Sequence, residues 1–164
     1  MASAYLRKAA FGLWLALVAL APAAAQSDAD KVKLIESEAV GWSRNMDRLL
    51  AVFTDDVAYE DPGLGVSLQG KEQVRAFAQQ FFDAFPDLKS VIISTVVSGD
   101  RAAAEWRLTG TQTGNLPGIP AANKQMDVRG VSTYEFQGGK IKRTVDYWDT
   151  GIMLRQLGVL PAKP

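Results

Sequence analysis

The sequence predicts an α+β fold: a cone-shaped barrel in which a curved antiparallel sheet wraps around N-terminal helices and encloses an apolar pocket. Three observations point there. Apolar residues recur every three or four positions over 28–53 and again over 71–85, the period of amphipathic helices. From residue 88 to residue 148 the pattern changes to β-branched runs and strict alternation. Helices followed by a series of strands must bury one face of a sheet under those helices, and curling the sheet around them leaves a hollow suited to a small, largely apolar ligand.

The first helix is expected over 28–53, with Val32, Ile35, Ala39, Trp42, Met46, Leu49 and Phe53 on its buried side. Val57–Glu60 reads as a strand, and Pro62, Gly63 and Gly65 mark a loop after it. The second helix runs from Lys71 to about Phe85, carries Val74, Phe77, Phe81, Phe82 and Phe85 on one side, and is stopped by Pro86. "LKSVIISTVVSG" is a strand ending at a Gly99-Asp100 turn. "RAAAEWRLTGTQT" alternates Ala102, Ala104, Trp106 and Leu108 against Ala103, Glu105, Arg107 and Thr109. "GNLPGIPAANK" is a loop. In 125–137, Met126, Val128, Gly130, Ser132, Tyr134 and Phe136 share a face, and Gly138-Gly139 turns the chain into 140–148 as a hairpin. A short helix, Ile152–Leu157, ends at Gly158, suited to the left-handed position after a helix.

The chain opens with Arg7 and Lys8, an apolar run over 9–21, and Ala23-Ala24-Ala25 before Gln26. This pattern predicts a secretory signal peptide over 1–25, leaving 26–164 as one domain in the periplasm or outside the cell. Without Arg7 and Lys8 the balance is 16 basic against 18 acidic residues, which argues against nucleic acid or, after signal cleavage, a membrane as partner.

The chain contains neither histidine nor cysteine. A Ser-His-Asp triad, a thiolate nucleophile and a zinc site of imidazole or thiolate ligands are therefore excluded. Acid–base chemistry falls to Asp, Glu, Lys or Tyr, and a carboxyl working near neutrality needs its pKa raised, which apolar burial achieves.

Candidates follow from position. Asp146 and Asp149 flank Tyr147-Trp148 at the end of the last strand. Asp146 is either a pocket base beside Trp148 or a strand acid paired with Lys142 or Arg143. Plain alternation groups it with Lys142, Thr144 and Trp148 against Ile141, Val145 and Tyr147, and a bulge would re-aim it. Asp149 immediately precedes the final helix and is expected to cap it. Asp61, before Pro62, starts a turn or faces the hollow; in the second case it and Asp146 form a carboxylate pair in which one acid stays protonated. Glu60 takes that place if the strand phase is off by one. Ser132, Tyr59 and Tyr134 donate to a ligand oxygen or are satisfied within the sheet, while Trp42, Trp106 and Trp148 build core and pocket wall. Arg107 and Arg129 are expected on the solvent face with cross-strand acids.

Four stretches, "DDVAYEDP", "FFDAFPDL", "GTQTGNLPGIP" and "GGKIKRTVDYWDTGIMLRQLG", together resemble the SnoaL-like polyketide cyclases (ester cyclases) of the nuclear-transport-factor-2-like, ketosteroid-isomerase-like superfamily. The resemblance spans about 32–161. It implies a closed apolar pocket and an intramolecular aldol cyclisation without metal or cofactor. In that pattern Asp146 shuttles the proton; Asp61 falls where the family carries an amide, Ser132 where it carries a histidine, and Gln112 where a loop histidine is common. The implied partner is a small apolar carbonyl compound, and superfamily members often form homodimers through the open sheet face. The competing expectation is an exported protein that binds such a molecule in the same pocket without turning it over.

Overall fold

A computed structural model describes residues 26–162; the segment read as a signal peptide, 1–25, lies outside the described residues. The elements are α1 (Asp28–Trp42), α2 (Met46–Ala51), β1 (Phe53–Asp61), β2 (Val66–Gln69), α3 (Lys71–Ala84), β3 (Lys89–Ser98), β4 (Arg101–Gln112), β5 (Lys124–Gln137), β6 (Lys140–Trp148) and α4 (Thr150–Leu157). The architecture is α+β, as the periodicity predicts. The six strands lie in the order β2-β1-β6-β5-β4-β3. All neighbours are antiparallel except β1 and β6, which run parallel. The sheet curves but does not close: β2 and β3 are its two edges. Helix α1 packs on β3, α3 on β1 and β2, and α4 on β5.

The expected single helix over 28–53 is two helices. The chain breaks at Arg44, whose φ of 69° is left-handed. Asn45 then caps α2 by accepting a hydrogen bond from the Arg48 amide. The fold-back brings Leu49 so near Gly41 that a Cβ there would lie 2.5 Å from the Leu49 Cα. The Arg44 guanidinium donates to the Phe82 and Phe85 carbonyls, placing a cation at the negative end of α3. Phe53, expected on the helix, begins β1 instead and is fully buried. The edge strand β2 follows the loop marked by Pro62, Gly63 and Gly65 and pairs with the end of β1.

The alternation of β5 survives intact: Met126, Val128, Gly130, Ser132, Tyr134 and Phe136 are all buried and their neighbours point outward. That of β6 does not. Gln137 pairs with Lys140 and Phe136 with Ile141, but Glu135 pairs with Arg143, so Lys142 is an extra residue on β6. This bulge inverts the phase. Ile141 and Thr144 both point inward, Lys142 turns away to pair with Asp56, and Asp146 follows Thr144 to the concave side. The grouping of Asp146 with Lys142 against Ile141 is thereby corrected.

On the convex side Arg107 pairs with Asp127, and Arg129 with Glu105 at 2.6 Å. Exposed among these pairs are Val91, Ile93, Val96, Val131 and Tyr147. No helix of the described residues is long and apolar enough to cross a membrane.

Candidate active site

Three rungs of the sheet build the concave wall. Trp148, Gly130, Trp106 and Ile92 form one; Asp146, Ser132, Ala104 and Thr95 the next; Thr144, Tyr134, Ala102 and Val97 the third. Because β6 lies between β1 and β5, Asp146 has a hydroxyl-bearing neighbour on each side. Ser132 Oγ donates to its Oδ1 and Tyr59 Oη donates to its Oδ2. Ser132 is itself fixed by the Trp106 indole, whose Nε1 donates to Oγ at 2.7 Å. Gly130 makes room for that indole: a Cβ there would sit 2.3 Å from Trp106 Cζ2.

Helices α1 and α3 close the opposite side. Trp42, Phe77, Phe81 and Tyr59 pack edge-on or tilted with centroids 5.3–6.3 Å apart. The recess between helices and sheet is a narrow cavity of about 50 Å3 that opens to solvent. Glu38, Trp42, Tyr59, Asp61, Ser132, Tyr134, Asp146 and Trp148 all line it, and among the described residues no lysine or arginine does. Asp61 is 3 % exposed. Its Oδ2 accepts from the Trp148 indole at 2.8 Å, and its Oδ1 accepts from the Leu64 amide at 3.0 Å. It thus starts the turn and faces the recess at once. Glu60 points the other way and pairs with Arg143.

Burial dominates the electrostatics. It pushes the Asp146 carboxyl up to about 6, opposed by the Ser132 and Tyr59 hydroxyls and reinforced by Asp61. Burial also raises Asp61 above the usual carboxylate range. Tyr59 and Tyr134 are both held well above the ordinary phenol value by burial and by the nearby acids. The strongest shift among the acids falls on Glu38, raised to about 8 by burial and by the charge of Asp146. No cluster of His, Cys, Asp and Glu side chains with metal-holding geometry occurs among the described residues.

The sequence profile of the SnoaL-like polyketide cyclases matches residues 37–157. The chain belongs to this family. Its fold agrees with solved structures. TsrD from Streptomyces laurentii is 26% identical with a TM-score of 0.73, covering 82% of this chain and 99% of that one. A Jannaschia Sp. CCS1 protein, provisionally named a SnoaL-like polyketide cyclase, is 23% identical with a TM-score of 0.72 over 83% and 98% of the two chains. A protein of ketosteroid isomerase-like fold from Catenulispora acidiphila, solved with trimethylamine, is 22% identical with a TM-score of 0.69 over 80% and 98%. At 22–23% identity the last two show the shared fold alone. No curated protein matches the chain.

Set on this SnoaL-like frame, seven of the eight site residues expected from sequence meet in one recess. Gln112 does not. It is fully buried at the end of β4, where its Nε2 donates to the Ile119 and Pro120 carbonyls and its Oε1 accepts from the Ala122 amide. Its amide is spent on holding the 113–123 loop, because a buried Gln must satisfy both ends of its side chain. The expected Asp61–Asp146 pair is looser than direct contact: each carboxyl has its own donors, hydroxyls for Asp146, indole and turn amides for Asp61. Asp149 caps α4, accepting from the Ile152 amide at 3.3 Å.

Glu38 was missed. It lies at the centre of the apolar stripe Ile35, Ala39, Trp42 and is 4 % exposed. The signal was present: an acid three residues after Ile35 and four before Trp42 sits on the buried side of any helix drawn through them. A carboxyl in that place reads as a break in the stripe until the helix is docked over a pocket.

Proposed function

We propose that this recess is the catalytic centre of a cofactor-free cyclase or isomerase in which Asp146 takes a proton from carbon next to a carbonyl and returns it. The observation that supports this reading is Asp146 itself: a carboxyl on the concave wall, oriented by two hydroxyls and poised near 6 by burial. A base works best when its pKa lies near the operating pH, and an ordinary aspartate, near 3.9, is too weak. The aromatic wall and the lack of a lysine or arginine in the recess among the described residues favour a small, largely apolar carbonyl compound over an anion. Its position outside the cytoplasm follows from reading 1–25 as an export signal.

The test uses 2-tetralone, a bicyclic ketone with labile hydrogens beside its carbonyl. Its deuterium exchange in heavy water, followed by proton NMR, is expected to run faster with the protein than without it. Tight binding of the ketone with exchange at the background rate would instead make the protein a small-molecule binding module. The same proposal extends to assembly, with a second copy of the chain covering Val91, Val96, Val131 and Tyr147 on the convex face. Sedimentation is expected to show a dimer, and a strictly monomeric profile removes that part.

A further inference from the structure

A proton taken from carbon leaves negative charge on the carbonyl oxygen, and a donor there lowers the barrier more than the base alone does. The reading of Asp146 as base therefore raises the question of which group meets that oxygen. The sheet wall offers few free donors: the Ser132 and Tyr59 hydroxyls are committed to Asp146, the Trp106 indole to Ser132, and the Trp148 indole to Asp61. The helix wall offers Glu38.

Helix α1 carries this side chain into the recess beside Trp42, with Tyr134 as its polar neighbour on the sheet. The one cation on the same face of α1, Lys31, lies two helical turns away and pairs with Asp28 at 3.2 Å. The charged and titratable groups that share the recess with Glu38 among the described residues are Asp146, Asp61, Tyr134 and Tyr59. Three acids, Glu38 from α1, Asp61 from β1 and Asp146 from β6, face one cavity, and no lysine or arginine of the described residues lines it. The Trp148 indole and the Leu64 amide donate to Asp61 and favour its charged form. Like charges at Glu38 and Asp146 do not both ionise beside it, and the more deeply buried of these two keeps its proton. Asp146 retains partial exposure, whereas Glu38 has almost none.

Resting on the assignment of Asp146 as base, we infer that Glu38 is a second catalytic acid of this recess, which donates its proton to the substrate's carbonyl oxygen while Asp146 removes the proton from carbon. The step balances. The Asp146 carboxylate takes the hydrogen as a proton, the C–H electron pair becomes the C=C bond, and the C=O π pair moves to oxygen, which accepts the proton of Glu38. Asp146 is left neutral and Glu38 ionised. Reversal returns both protons, and because Asp146 touches solvent, the one returned to carbon is exchangeable. The substrate class narrows accordingly to an enolisable ketone or ester whose oxygen reaches α1 while its α-carbon lies against β6.

Two measurements test it. In 2-tetralone exchange, Glu38→Leu is expected to lower the rate about 100-fold, the typical loss for one transition-state donor. If Glu38→Leu stays within about twofold of the parent while Asp146→Asn abolishes exchange, the Glu38 assignment falls and the Asp146 reading stands. If Asp146→Asn exchanges at the parent rate, the underlying reading falls as well. The second measurement needs no turnover. Binding of 2-naphthol, which mimics the enol in shape and oxygen position, is expected to weaken about tenfold in Glu38→Leu, while binding of naphthalene, which lacks the oxygen, stays unchanged. Equal effects on the two ligands, no effect on either, or no binding of 2-naphthol to the parent protein would overturn the assignment.

Discussion

Asp146→Asn is expected to lower ketone exchange by about 10²–10⁴-fold, the span of a general base, without loss of the fold. The amide keeps the shape of the carboxyl and one acceptor for the Ser132 and Tyr59 hydroxyls, so the sheet rungs on either side persist. What it loses is basicity. In the parent, exchange should rise with pH along a limb centred at about 6, since the reactive species is the ionised carboxyl and it is lost as pH falls below that value. An unshifted aspartate would place the limb near 4. The two hydroxyls stabilise the ionised form, so Ser132→Ala or Tyr59→Phe should move the limb upward, and a downward move would contradict their role as donors. The measurement is the pH–rate profile of each variant, whose displaced limb separates a donor to Asp146 from a residue that merely supports the wall.

Glu38→Gln should make the protein more stable, increasingly so as pH rises. The sign follows from linkage. Glu38 titrates near 4.5 in the unfolded chain and near 8 in the folded one. Between those values the folded state holds a proton that the unfolded state has released. The stabilisation from that bound proton is complete below 4.5 and is lost progressively as pH climbs to 8. A neutral amide of the same size removes the difference. Melting temperatures of parent and variant should therefore coincide near pH 4 and diverge through pH 8, where the variant's advantage is on the order of a few kcal/mol. Thermal denaturation across that range checks it, and a pH-independent difference would mean that the side chain acts through packing. The stability gained by Glu38→Gln, set against the activity lost on changing Glu38, would mark a group kept for chemistry.

The path from sequence to site can be traced at single residues. Ser132, Tyr134 and Gly130 were legible on the inward face of β5 because strict alternation over 14 residues tolerates one phase only. The Asp149 cap and the Gly158 stop of α4 were legible because both are contacts within one turn of helix. The partner of Ser132 was not. A two-residue turn at Gly138-Gly139 continued without interruption sets Ser132 opposite Val145, with Asp146 facing outward. The extra residue at Lys142 shifts the register by one, so that Ser132 meets Asp146. Nothing in "KIKRTVDYW" announces the bulge, because its cause is the demand of the concave face for both Ile141 and Thr144.

The sequence by itself determined the fold class, the order of most elements, the inward face of β5, and the restriction of any chemistry to carboxyls and hydroxyls. Each of these rests on local periodicity or on residue types the chain lacks. Tertiary structure decided the rest: that β6 lies between β5 and a parallel β1, so that Tyr59 and Ser132 grip Asp146 from both sides, and that α1 docks with Glu38 over the same cavity. Tyr59 and Asp146 are 87 residues apart in the chain. A contact across that separation depends on how the whole sheet orders and curves its strands, and a hydrophobic period of two or 3.6 residues carries no information about it.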